Sequence, residues 1–156
     1  MAACARAGTM PESFTFAFGT EYTLEKSPAR ATIAYRPAWG DAQRPPDAGL
    51  GEAQPPHTVQ ISAAEAEALW TRIAALDPKP YQQPAAGAFE PTPPDMRHTE
   101  HLNWIVNGKT IAAWSQGYTF LKPDLRRPLA LVADAIRAAY EKAAAQKGTG
   151  QHGPTP

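Results

Sequence analysis

The sequence predicts an α+β domain: an antiparallel sheet of about five strands with two helices packed on one face, in the order β-β-β-α-β-β-α. Three observations predict it. Residues 98–118 hold two runs of β-branched and aromatic residues around Asn107-Gly108, a dipeptide suited to the two positive φ angles of a type I′ hairpin turn. Residues 13–25 alternate with period two, placing Phe14, Phe16, Phe18, Tyr22 and Leu24 on one side. Two further stretches carry apolar residues at helical spacing behind recognisable start signals. One apolar sheet face and two apolar helix stripes are satisfied by packing both helices on the same side of the sheet.

In chain order, residues 1–12 read as a flexible segment and 13–145 as one domain. The first strand spans 13–25, with Gly19 as a bulge or bend. Lys26-Ser27-Pro28 supplies a turn, and a second strand runs from Ala29 to Arg36 until Pro37 ends its ladder. A third short strand covers His57 to Ile61. Ser62-Ala63-Ala64-Glu65 fits a capping box, in which the serine oxygen accepts from the amide three residues on and the glutamate reaches back. The stripe Ala66, Leu69, Trp70, Ile73 and Leu76 then marks a helix that Asp77-Pro78 stops. After the hairpin, 119–127 reads as irregular chain. Pro128 opens a final helix with Leu129, Val132, Ile136, Ala139, Tyr140 and Ala143 inward. Residues 146–156 are expected to be a disordered tail.

Proline is the unusual component. Of 17 prolines, eleven lie in two segments, 37–56 and 77–97, which therefore read as long loops. The hairpin turn also sets a register. Val106 faces Lys109, Ile105 faces Thr110 and Trp104 faces Ile111, so Leu102, Trp104, Val106, Ile111 and Ala113 belong to a core face. His101, Asn103, Ile105, Thr110, Ala112 and Trp114 then share a mixed face.

Charge excludes one class of partner. Lys plus Arg and Asp plus Glu are both 15, and the basic residues cluster only at Arg126-Arg127, so the electrostatic footprint of a nucleic-acid binder is missing. No apolar run approaches the roughly 20 residues that span a bilayer. A lone cysteine, Cys4, allows no internal disulfide. Met1-Ala2-Ala3-Cys4 resembles the end of a bacterial lipoprotein signal, in which the cysteine is lipidated. That reading places the protein in the periplasm or envelope with a lipid anchor as its membrane contact; an ordinary flexible tail in a cytoplasmic protein is the other reading, and both stay open here.

The motifs of catalysis are thin. There is no G-x-S-x-G elbow and no phosphate-cradling glycine loop, since Gly49-Leu50-Gly51 is short and leads into no helix. The pairs Glu21 with Glu25 and Glu65 with Glu67 suit solvated faces. His98 and His101, near Asp95 and Glu100, form the one cluster of metal-capable residues, but residues three apart on a strand do not converge on a shared ion. A small metal-binding module or metal-dependent enzyme using His98 and His101 is thus the alternative reading. The favoured one is a non-enzymatic protein without a cofactor that binds another protein. Its candidate contacts are the loop aromatics Trp39, Tyr81 and Phe89 and the mixed-face residues His101, Ile105 and Trp114.

A capped helix, a long loop with Asp95, a hairpin of the form L-x-W-x-V-N-G and a helix led by Pro128-Leu129 resemble small α+β domains of exported bacterial lipoproteins. The layout is also similar to emfourin-type inhibitors of thermolysin-like metalloproteases. The likeness covers roughly residues 60–140. It implies an inhibitor or immunity protein acting on a secreted enzyme, a protease or a toxin, and carries over no individual inhibitory residue.

Overall fold

The computed structural model describes residues 9–36 and 57–151, with side chains described as far as residue 146. The α+β class holds, and the antiparallel sheet is larger than the sequence suggests. Strands β1 (Phe14–Phe18), β2 (Tyr22–Lys26), β3 (Ala31–Tyr35), β4 (His57–Ile61), β6 (Thr99–Val106) and β7 (Lys109–Gly117) form one six-stranded sheet in the order β4-β3-β2-β1-β6-β7. A two-stranded sheet pairs β5 (Phe89–Pro91) with β8 (Thr119–Leu121). Helices α1 (Ala63–Ala74), α2 (Lys79–Gln82) and α3 (Pro123–Gln151) complete the described elements, with a 3-10 turn at Ala86–Ala88.

The expected first strand is two strands. Gly19 adopts φ 100°, where a side chain would be strained, and the chain reverses there so that Phe16 pairs with Leu24. The connection holds three residues, an odd number, so Phe18 and Tyr22 keep the same parity and the period-two pattern runs through the turn unbroken. β1 consequently sits in the middle of the sheet, with Phe14 against Val106 and Phe18 against Leu102 of β6.

The hairpin turn forms as its dipeptide dictates, with Asn107 at φ 49° and Gly108 at φ 79°. Asn107 is also tied to the chain entering β1: its amide donates to Ser13 O (2.8 Å) and its Oδ1 accepts from Ser13 N (3.1 Å). The expected register survives for two pairs only. A β-bulge leaves Ile111 unpaired, after which Trp104 faces Ala112, Leu102 faces Trp114 and His101 faces Ser115. One extra residue exchanges the faces of everything beyond it. Ala112 becomes core, Ala113 becomes exposed, and Trp114 moves to the helix side.

α1 begins at Ser62, whose Oγ accepts from Glu65 N at 3.1 Å, and buries Ala66, Leu69, Trp70 and Ile73. Only half of the capping box forms. The Glu65 carboxylate lies 3.6 Å from Lys142 Nζ, linking α1 to α3 instead. α3 starts at Pro123, five residues before the proline expected to lead it, and continues to Gln151 through part of the segment expected to be a tail. Pro128 lies inside it, costing one intrahelical bond. Burial of Leu129, Val132 and Ile136 offsets that, at about 1.5–3 kcal/mol for each fully buried side chain. Residues 119–127 are therefore a strand and a helix start, and the loop 77–97 contains α2, the 3-10 turn and β5.

One core lies between the sheet and the helices, built from Phe14, Phe16, Leu24, Ile33, Leu102 and Trp104 on the strands against Ile73, Leu129 and Ile136 on the helices. The alternate strand positions face away from the helices; Ala17 among them is buried, while Thr15, Thr23, Thr32, Thr58, Gln60, Asn103 and Thr110 are partly or fully exposed.

Candidate binding groove

Glu100 stands at a core-parity position of β6, two residues before Leu102, and is the one buried charged residue among those described, 1% exposed. A carboxylate taken out of water needs partners for both oxygens. Oε1 lies 2.7 Å from His98 Nε2, while Oε2 accepts from Leu121 N at 2.9 Å and from Arg126 Nε at 2.8 Å. An ionised carboxylate only accepts, so His98 carries its proton on Nε2. Glu100 thereby joins the start of β6, the end of β8 and the first turns of α3.

Aromatic rings complete the arrangement. The His98 ring stacks on Phe120 with centroids 4.2 Å apart, and the Arg126 guanidinium carbon lies 5.4 Å from the Phe18 ring centre and 5.7 Å from that of Phe120. Contacts of this kind hold a guanidinium by its π-facing surfaces.

His98 and Arg126 both line a groove of about 960 Å³. One wall is the β1–β2 turn from Phe18 to Tyr22 with Arg36, the other is α3 from Arg126 to Arg137, and Arg97 to Glu100 with Tyr118 close one end. Four arginines, Arg36, Arg97, Arg126 and Arg137, line it against three acids, Glu21, Glu100 and Asp134. Tyr22, Tyr35 and Tyr140 cluster with ring centres 5.0–5.7 Å apart, Tyr22 meeting Tyr140 edge to face, beside Arg137. Burial raises the Tyr22 hydroxyl above its ordinary pKa, opposed by the nearby Arg137 charge.

Tyr118 is the outlier of the site. It follows Gly117 with φ 60°, a left-handed conformation uncommon for a bulky residue, and its side chain is 59% exposed. Two backbone hydrogen bonds hold it there: its amide donates to His98 O (2.6 Å) and its carbonyl accepts from Thr92 N (3.0 Å). Met96, also exposed, lies four residues after Thr92, whose hydroxyl donates to its carbonyl at 3.0 Å.

Of the residues singled out from sequence, His98 lines this groove and the others described fall elsewhere. Tyr81 is buried, with its hydroxyl donating to Leu125 O at 2.8 Å, and its carbonyl accepts from Trp114 Nε1 at 2.8 Å. Phe89 meets Trp114 edge to face at 5.3 Å. These three pin the 77–97 segment onto β7 and α3, so Trp114 does not share a mixed face with Ile105. His101 and Ile105 remain on the side away from the helices, both partly buried. Burial lowers the His101 pKa. His98 and His101 lie on opposite sides of β6 and do not meet. Among the described residues no three His, Cys, Asp or Glu side chains cluster as a metal site. Trp39 and Cys4 lie outside the described residues. No helix among the described residues is long and apolar enough to cross a membrane.

Sequence reasoning missed Glu100 as an organising residue, together with Arg126, Arg36 and Tyr118. Glu100 carried a usable signal, a charge at the parity of Leu102 and Trp104. Tyr118 carried none, because a positive φ there is dictated by the β7–β8 corner and not by its own chemistry. No protein-family model, curated protein or solved structure matches the chain.

Proposed function

We propose that this chain is a non-enzymatic protein-binding domain that engages its partner through the groove rim around Tyr118, acting as an inhibitor or immunity partner of a secreted enzyme of the bacterial envelope. The observation that carries this reading is Tyr118. A tyrosine on strained backbone, locked by two hydrogen bonds and pointing its ring into solvent, contributes nothing to the core, and such conformations persist where function uses them. Its surroundings have the composition of a binding surface. Tyrosine and arginine are enriched at interfaces and among their energetic anchors, and here Tyr118, Arg36, Arg97 and Arg126 line one groove.

The test places a photo-crosslinking amino acid at position 118 and, in a second protein, at position 58 on the open sheet face. Each is irradiated in an envelope extract of the source organism. The reading expects one discrete adduct from position 118 that is absent from position 58, and inhibition of the captured enzyme by the unmodified domain. The same adducts from both positions, or none from 118, would remove it.

A further inference from the structure

We propose that the α3 wall of the groove holds a carboxylate subsite, in which the outer edge of Arg126 receives an aspartate or glutamate side chain of the bound protein; this rests on the protein-binding reading. Three sides of the Arg126 side chain are already committed. Nε donates to buried Glu100, and the rings of Phe18 and Phe120 lie against the guanidinium. The two terminal nitrogens have no partner among the described residues, yet the side chain is 38% exposed and lines the groove. A planar fork held in place this way matches a carboxylate with two parallel N–H···O bonds. Little rotamer freedom is left to lose on binding, which is the usual cost of recruiting an arginine.

The cost of burying Glu100 makes the same point. The carboxylate is almost fully buried and has both oxygens engaged, so its effect is to orient Arg126 and His98 at the groove. Arg36 adds a second positive charge on the opposite wall. Glu21 and Asp134 line the same space and offset part of the positive charge of the arginines. What sets a peptide carboxylate apart from free phosphate is the residues on either side of it. Tyr118 at the end of the groove offers apolar surface to the residues flanking that carboxylate, which a free small anion lacks.

The experiment titrates the full chain, labelled with ¹⁵N, with the capped peptide Ala-Ala-Glu-Ala-Ala, its Gln counterpart and inorganic phosphate, following backbone amides and arginine Nε–H resonances. The glutamate peptide is expected to shift the Arg126 Nε–H signal and the amides of Glu100 and Tyr118. The Gln peptide should bind roughly tenfold more weakly, the loss expected for a charged hydrogen bond. Arg126→Lys keeps a positive charge beside Glu100 and should lose affinity by a similar factor. Arg36→Gln, on exposed surface, should weaken binding without disturbing Glu100, and Arg30→Gln on the open face should change nothing. Equal groove binding of both peptides would overturn the subsite while leaving the protein-binding reading standing. Tighter binding of phosphate at the same resonances, or no response of Arg126 to any probe, would overturn it as well. Crosslinking at position 118 judges the underlying reading independently.

Discussion

Glu100 holds three donors, from the residue just ahead of β6, from β8 and from α3, so its removal should be felt in stability before it is felt in binding. Glu100→Ala leaves Arg126 without its anion and the Leu121 amide without an acceptor. Breaking such a pair costs about 3–5 kcal/mol when both partners are buried; with Arg126 able to hydrate, the low end, about 3 kcal/mol, is expected in urea unfolding. His101 gives a separate, pH-dependent prediction. Burial lowers its pKa from 6.5, so the folded chain resists protonation that the unfolded chain accepts. Below 6.5 the unfolded state binds more protons, and stability is lost as pH falls through the folded pKa; above 6.5 the contribution is fully present. His101→Gln should flatten the stability profile on the acid side of 6.5, and an unchanged acid limb in urea midpoints would refute the assignment.

Among the elements, the β6–β7 hairpin depends most on a single backbone conformation. Gly108 sits at φ 79° with nothing within 4 Å of where a Cβ would be, so Gly108→Ala meets no clash and reports conformation alone. A cost of about 1–2 kcal/mol is expected, measurable by chemical denaturation. This turn, the α1 cap at Ser62 and the stripes of α1 and α3 were legible in the sequence, because each follows from local chemistry: a dipeptide, a hydroxyl, a spacing. The bulge at Ile111 was not legible, since nothing in Thr110-Ile111-Ala112 distinguishes a bulged from a regular ladder. That one residue decides whether Trp114 faces Ile105 or Tyr81. The β1–β2 turn was hidden for a related reason, its three residues preserving the alternation of Phe18 and Tyr22. The candidate site was the least legible part. Glu100, Arg126 and Tyr118 meet only after β6, β8 and α3 have packed, and short-range pattern contains no trace of that meeting.

At the scale of the molecule, the sheet has one committed face and one open face, and neighbouring residues of a single strand should respond oppositely to truncation. Ile33, 0% exposed beneath the helices, is expected to cost about 2–5 kcal/mol as Ile33→Ala. Thr32, next to it on the open face, should stay within about 0.5 kcal/mol as Thr32→Ala. Comparable losses in urea melts of the two variants would mean that the open face is structurally covered. The same division keeps the groove apart from the open face, because the Glu100 network belongs wholly to the helix side.

The central position of β1 also shapes how the chain reaches this structure. β1, β2, β3 and β4 join as successive neighbours, and β6 with β7 closes through a two-residue turn, so each half of the sheet can form early from nearby partners. The halves meet along one seam, β1 against β6, where Phe14 must find Val106 and Ser13 must find Asn107. Loop closure over that distance is the slow kind of contact, which makes the β1–β6 seam the natural rate-limiting step of folding. The groove straddles that seam, with the β1–β2 turn on one side and β6 with α3 on the other. A nascent or partly unfolded chain would hold both halves and still lack the groove, so competence to bind would arrive with the final step of folding and not before it.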